Sequence, residues 1–146
     1  MKSFKMKIGI IIICALYTNL AFGQKDTINS NWNKIIVGKW TNKIDRTIDG
    51  KEYSGLNCRD TISYISNGKY ISKQCAWNET GKWKLSDDGN KIIHFDIDNK
   101  YWKKELGTDD LGESHCKIIS LSKTELVTQL FSEDAGEIHQ YYVRLE

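Results

Sequence analysis

From residue 35 onward the sequence consists of short runs in which apolar and polar residues alternate, and each run ends in Gly, Asn, Asp or Ser. A period of two places successive side chains on opposite faces of a β-strand, and the separating residues favour turns. No apolar period of 3.6 residues persists here, and the sequence contains no proline to interrupt strand pairing. We therefore predict an all-β domain over residues 35–146, with strands at 35–42, 60–66, 69–75, 81–86, 91–97, 101–105, 115–121, 125–131 and 137–145.

Eight or nine short strands joined by tight turns predict an up-and-down antiparallel β-barrel, because closure of the sheet pairs both of its edges. A two-sheet sandwich is the alternative, and periodicity alone does not distinguish the two. Residues 27–34, with Ser30 or Asn31 as a possible N-cap, predict a short helical turn before the first strand.

Residues 1–23 have the organisation of a secretory signal peptide. Three lysines precede the apolar run at residues 8–16, and the segment ends in the sequence Ala-Phe-Gly. The apolar run is far shorter than the roughly 20 residues of a membrane-spanning helix. We expect cleavage after Gly23 and export to the periplasm or beyond, with residues 24–34 as a lead-in to the barrel. An uncut membrane anchor is the alternative.

The charge balance argues against a nucleic-acid partner. Three of the 21 basic residues and none of the 19 acidic residues lie in the predicted signal peptide, which leaves 18 basic against 19 acidic residues. The remaining charges are dispersed along the chain and do not form a basic stripe.

Three cysteines follow the predicted cleavage site: Cys58, Cys75 and Cys116. In an oxidising compartment an odd count allows at most one internal bridge. Residues 60–74 predict a hairpin that turns at the Asn-Gly pair of residues 67–68. Counting outward from a two-residue turn sets Cys75 opposite Asp60, or opposite Cys58 if the register shifts by two. Cys58 and Cys75 are therefore the disulfide candidate, and Cys116 is expected to be unpaired.

The sequence contains no recognisable catalytic or metal-binding motif. His94 and Asp96 share a strand face, but neither a Cys-x-x-Cys nor a His-Glu-x-x-His spacing accompanies them. His115 and Cys116 point to opposite faces of one strand, so they do not form a catalytic pair. We predict no metal, no cofactor and no enzymatic activity.

Four segments occur in order along the predicted barrel: residues 36–40 (IVGKW), 81–92 (GKWKL, then GNKI), 118–127 (IISLSKTELV) and 141–144 (YYVR). Together they resemble the small secreted lipocalin-like domains of Bacteroidetes-type bacteria and, more distantly, the calycin superfamily. The resemblance covers roughly residues 35–146, and it implies a barrel whose first strand opens with Gly-x-Trp. It further implies that this Trp closes the barrel floor beneath a basic residue from late in the chain. In this sequence those roles fall to Gly38, Trp40 and Arg144.

The resemblance and the aromatic content together imply a secreted barrel that binds a small hydrophobic ligand in its interior. The alternative is a filled barrel that serves as an extracytoplasmic protein- or glycan-interaction module, with residues 43–57 as its contact surface. The residues predicted to line the lumen are Tyr64, Ile71, Trp83, Phe95 and Leu126.

Overall fold

The computed structural model describes residues 25–53, 60–132 and 136–146. The predicted signal peptide and Cys58 lie outside these residues. Within the described ranges, no helix is long and apolar enough to cross a membrane. The elements, in chain order, are α1 (Lys25–Ile36), β1 (Gly38–Thr47), β2 (Glu52–Tyr53), β3 (Thr61–Tyr64), β4 (Lys69–Lys73), β5 (Asn78–Leu85), β6 (Lys91–Asp98), α2 (Lys100–Leu106), β7 (Ser114–Leu121), β8 (Glu125–Ser132) and β9 (Gly136–Leu145).

The sheet closes on itself through its first strand. Each strand from β3 to β9 pairs antiparallel with the next, and β1 pairs with both β3 and β9. Eight strands therefore form a closed up-and-down barrel, while the two-residue β2 pairs with the far part of β1. The predicted all-β barrel is confirmed, and the sandwich alternative is wrong because the first and last strands pair over most of their length.

One predicted strand is wrong: residues 101–105 belong to helix α2. The side chain of Asn99 accepts a hydrogen bond from the backbone N–H of Trp102 at 3.2 Å, which caps the start of this helix. Gly107 ends the helix in the left-handed conformation, with φ at 64°. Residues 101–105 are two adjacent aromatics followed by three charged residues, a run without alternation, so nothing in it favours a strand. The two caps decide the outcome.

The hairpin between β3 and β4 has a three-residue turn, so its register differs by one from both predicted registers. The backbone N–H of Ile65 donates to the carbonyl of Lys69 at 2.9 Å, and Gly68 lies in the left-handed region at φ 81°. Tyr64 is consequently opposite Tyr70, whereas a two-residue turn would have placed it opposite Ile71. A shift of one residue moves every side chain of a strand to the other face.

A β-bulge interrupts the pairing of β5 with β6. Lys82 is opposite Phe95 and Thr80 is opposite Asp98. The single residue Gly81 of β5 therefore lies opposite two residues of β6. A Cβ atom at Gly81 would lie 2.7 Å from Cε1 of Tyr70 and 2.9 Å from the carbonyl oxygen of Phe95. The absence of a side chain at Gly81 therefore allows the Tyr70 ring to enter the barrel.

Apolar side chains fill the end of the barrel next to α1, which we call the floor. Trp32 and Ile36 of α1 pack against this core, and the indole N–H of Trp40 donates to the carbonyl of Ile36 at 2.8 Å. Each such side chain contributes about 1.5–3 kcal/mol on burial. The core consists of Ile36, Trp40, Tyr64, Tyr70, Trp83, Ile92, Ile118 and Leu126.

Candidate functional site

The barrel encloses a cavity of about 360 Å³, which we call the lumen cavity. It lies toward the end opposite the floor, because its lining includes the opposed pair Asp45 and Gln140, several residues along β1 from Trp40. Two grooves of about 690 and 460 Å³ lie on the outer surface and are more open to solvent. The lumen cavity is the least open of the three and is the candidate site.

Two carboxyl groups, Asp45 and Asp60, line the cavity. The amide of Asn42 donates to Asp45 Oδ1 at 2.7 Å. Burial raises the pKa of Asp45; hydrogen bonds from Asn42 and Gln140 oppose this shift, and the nearby charge of Asp60 adds to it. Burial also raises the pKa of Asp60, against a hydrogen bond from the backbone of Cys75. Two like charges thus share an environment in which water is restricted.

A third carboxyl group, Glu79, is held by two donors. The hydroxyl of Tyr70 donates to Glu79 Oε1 at 2.8 Å, and the side-chain amide of Asn99 donates to Oε2 at 3.1 Å. Burial and the hydrogen bond to Glu79 raise the pKa of Tyr70, so its phenol stays protonated and remains a donor. Asn99 also caps α2, so that helix is linked directly to the cavity lining.

His94 lies between two tyrosine rings and is neutral at pH 7. Its Nε2 is 3.0 Å from the hydroxyl of Tyr64, and its ring centre is 4.5 Å from that of Tyr70. Burial lowers the pKa of His94 to about 4. Burial also raises the pKa of Tyr64 well above its usual value. Tyr64 and His94 therefore present aromatic faces and share one proton in the hydrogen bond between them, and neither residue adds a positive charge to the cavity.

Thr128 and Cys116 contribute a hydroxyl and a thiol to the cavity lining. Thr128 is 3% exposed, and its hydroxyl has no hydrogen-bond partner among the described residues. Cys116 is a free thiol whose pKa is raised by burial to about 11. A thiol in that state is a poor nucleophile, so Cys116 does not supply thiolate chemistry.

Of the five residues predicted to line the lumen, three point into the barrel and two lie on its outer face. Tyr64 lines the cavity, while Trp83 and Leu126 are buried in the core toward the floor. Ile71 is 39% exposed and lies on the outer face because of the three-residue hairpin turn. Phe95 also faces outward, with Nζ of Lys84 5.4 Å from its ring centre. The prediction of Ile71 and Phe95 as interior residues is wrong.

Strand β6 explains the error at Phe95. Apolar residues occupy both of its faces, so alternation alone does not say which face points inward. The observed pairing sets His94 opposite the buried Trp83, which places His94 inside. His94 is two residues from the buried Ile92, and Thr128 is two residues from Leu126. A polar residue in phase with core residues is the sequence signal that could have identified both as interior positions.

The barrel floor has the contact implied by the resemblance. Arg144 Cζ lies 4.3 Å from the centre of the Trp40 ring. Gly38 lies beside it with φ at 146°, a conformation that other residues rarely adopt, and a Cβ atom there would displace the Arg144 guanidinium. These three residues close the floor and do not line the lumen cavity.

The His, Cys, Asp and Glu side chains are the candidates for metal binding and for a disulfide. Within the described ranges, no group of three or more His, Cys, Asp or Glu side chains could hold a metal ion. Cys58 lies outside the described residues, so the pairing of Cys58 with Cys75 stays a prediction. The Sγ atom of Cys75 is 3.6 Å from Oδ1 of Asp60, which places this cysteine close to the carboxyl groups of the cavity.

The fold is similar to that of solved bacterial proteins. A lipocalin-like protein from Bacteroides uniformis superposes with a TM-score of 0.52 at 14% identity, covering 76% of this chain and 99% of that chain. A protein from Burkholderia xenovorans superposes with a TM-score of 0.50 at 12% identity, covering 78% and 87%. No family model matches the sequence, and no curated protein matches it. At these identities the similarity shows the fold, which is a lipocalin-like barrel.

Proposed function

We propose that this lipocalin-like barrel is an exported carrier or sensor that binds one small molecule in its lumen cavity. The observation that carries the proposal is a cavity of about 360 Å³ in the barrel interior. Ligand sites typically measure roughly 300–1,000 Å³ and combine aromatic walls with a few polar groups that fix orientation. Here Tyr64, Tyr142 and His94 supply rings, and carboxyl, amide and hydroxyl groups supply the polar contacts.

The lining favours a polar ligand over the hydrophobic ligand expected from the sequence. Most of the residues that line the cavity carry a hydrogen-bonding group, whereas Ile62 and Leu130 are its aliphatic members. A purely apolar molecule would separate the carboxyl groups from water without giving them a partner, which is unfavourable. A small ring-bearing molecule with hydrogen-bonding groups would satisfy both parts of the lining.

The alternative function, a protein- or glycan-interaction module, assumed a filled barrel and a contact surface at residues 43–57. A filled barrel would have no cavity, whereas this interior contains one of about 360 Å³. The last residues of that stretch, 54–57, lie outside the described residues. We therefore place the binding site inside the barrel.

An NMR titration of the purified protein against three compound sets, namely lipids, neutral sugars and small polar aromatics, tests the proposal. We expect saturable shifts at cavity residues with the polar aromatics. Leu130→Trp, which fills the cavity, should abolish them. Phe131→Trp is the matched control because the adjacent Phe131 is exposed on the outer face. Shifts confined to outer residues, or none with any set, would overturn the proposal.

Export is the second part of the proposal, and it rests on the signal-peptide pattern of residues 1–23. N-terminal analysis of protein expressed in a bacterium should find a chain that begins at Gln24. A chain that retains residues 1–7 would contradict export by cleavage. A Cys58–Cys75 disulfide belongs to the same proposal, because an oxidising compartment allows it to persist.

A further inference from the structure

We propose that the ligand of the lumen cavity is a small organic cation, an aromatic compound carrying a protonated amine, and that Asp45 and Asp60 bind its ammonium group. This inference rests on the proposed function, since it specifies the charge of a ligand in the same cavity.

The first argument is the charge of the lining. Three carboxyl groups line the cavity, those of Asp45, Asp60 and Glu79, and among the described residues no Lys or Arg contributes to the lining. His94, a nitrogen base in the lining, is uncharged at pH 7 because burial lowers its pKa. The described wall of the cavity therefore carries acidic groups without a compensating cation of its own.

The second argument concerns the partners of these carboxyl groups. Glu79 already accepts hydrogen bonds from Tyr70 and Asn99. Asp45 accepts from the neutral amides of Asn42 and Gln140, and burial raises its pKa. An ammonium between Asp45 and Asp60 would offset both the burial and the repulsion between the two charges.

The third argument is independent of the acidic groups. The Thr128 hydroxyl is buried, lines the same cavity, and has no hydrogen-bond partner among the described residues. A buried hydroxyl without a partner is unfavourable, and native proteins contain few of them. A polar group on the ligand would pair with it. Thr128 is opposite Gln140, which contacts Asp45, so the hydroxyl and the acidic groups belong to one continuous wall.

The rings favour an aromatic amine over a metal ion. Tyr64, Tyr142 and His94 present ring faces or edges to the cavity, and such faces attract organic cations and stack on flat ligands. A calcium ion requires six to eight oxygen ligands, whereas the described residues contain no group of three or more metal-binding side chains. A ring with a short aminoalkyl chain fits both the carboxyl groups and the aromatic wall.

The test compares three probes of one shape by calorimetry on the purified protein: tyramine, its neutral alcohol analogue tyrosol, and 4-hydroxyphenylacetate. We expect tyramine to bind at least about 10-fold more tightly than tyrosol, because a hydrogen bond to a charged group is the stronger one. The acid should not bind. Equal binding of tyramine and tyrosol, or tighter binding of the acid, would overturn the inference and leave the proposed function intact.

Substitutions of the two aspartates test whether their charges account for the preference for tyramine. Asp45→Asn and Asp60→Asn should each weaken tyramine binding about 10-fold and affect tyrosol binding less, while Thr128→Val should weaken both probes. Glu52→Gln is the matched control, because Glu52 pairs with Arg46 on the exposed outside of the barrel. The melting temperatures establish folding, and we expect both Asn variants to be at least as stable as the parent, since each removes a buried like charge.

Two further outcomes would count against the inference. Stabilisation by calcium chloride that requires Asp45 and Asp60 would assign the carboxyl groups to a metal ion instead. Absence of binding by all three probes, together with cavity shifts from the lipid set, would overturn the cationic ligand and keep the cavity as a site. Absence of cavity shifts from every compound would overturn the proposed function itself.

Discussion

Arg144 lies across the indole face of Trp40, with its Cζ atom 4.3 Å from the ring centre, and the two residues are directly opposite each other on β9 and β1. The guanidinium also donates to three backbone carbonyls, those of Ile35, Val37 at 2.9 Å and Lys123 at 2.6 Å. One side chain therefore joins the end of α1, the turn between β7 and β8, and the first strand.

Replacing Arg144 should destabilise the barrel more than replacing an exposed arginine. We expect Arg144→Ala to lower the free energy of unfolding by about 2–3 kcal/mol, because it loses the ring contact and the three hydrogen bonds. Arg46→Ala is the control, since Arg46 pairs with Glu52 at the surface, and it should cost clearly less than Arg144→Ala. Urea denaturation measures both values. Equal losses would contradict a structural role for the floor contact.

Gly81 should tolerate no side chain. Gly81→Ala would place a Cβ atom 2.7 Å from the Tyr70 ring, and we expect a loss of about 2 kcal/mol or more through strain. Gly112→Ala is the control: nothing lies within 4 Å of a Cβ there, and only the left-handed backbone resists substitution. A Gly81→Ala protein as stable as the control would show that the Tyr70 ring is not held against this position.

The hairpin register predicts that substitution of Tyr70 costs much more stability than substitution of the neighbouring Ile71. Tyr70 is 1% exposed and donates to Glu79, so Tyr70→Ala should lower the free energy of unfolding by about 3 kcal/mol or more. Ile71→Ala, on the outer face, should cost about 1 kcal/mol or less. If thermal denaturation shows the larger loss at Ile71, the three-residue turn is wrong.

Acid should destabilise the protein through His94. The pKa of His94 is about 4 in the folded protein against an ordinary value of 6.5, so the unfolded chain binds more protons between these values. The resulting stability is present above about pH 6.5 and is lost as the pH falls toward 4. It amounts to about 3 kcal/mol at most by linkage.

Comparing wild type with His94→Gln isolates this contribution, because Gln does not titrate and can still bond to the Tyr64 hydroxyl. The raised pKa values of Asp45 and Asp60 act in the opposite direction in both proteins and cancel in the difference. Urea denaturation at several pH values should show a stability difference that changes between pH 6.5 and 4. A constant difference would show that burial does not lower the pKa of His94, because its proton binding would then be the same in the folded and unfolded protein.

Cys116 should react slowly with thiol reagents while the protein is folded. Its burial and raised pKa leave almost no thiolate at about pH 8. Iodoacetamide labelling followed by mass spectrometry should find Cys116 unmodified in the native protein and modified in urea. If the proposed Cys58–Cys75 bridge forms, the exported protein in urea should take up one label, whereas three labels would contradict the bridge.

The amino-acid sequence by itself determined most of the strand set and favoured a barrel over a sandwich, and the pairing of β1 with β9 settled the closure. Alternating runs separated by turn residues indicated eight of the nine predicted strands, because period-two patterning and turn chemistry are local properties. The resemblance to lipocalin-like domains implied the contact between Trp40 and Arg144, which the pairing of β1 with β9 brings about.

Only the tertiary structure decided which faces point inward and what the interior contains. A three-residue turn set Tyr70 inside instead of Ile71, and a register shift between Asn42 and Ile44 set Asp45 opposite Gln140 in the cavity wall. Each of these features shifts the register of a strand by one residue, and a shift of one residue exchanges the side chains on its inner and outer faces. The polar cavity follows from these displacements, because alternation along a single strand contains no information about its register with its neighbours.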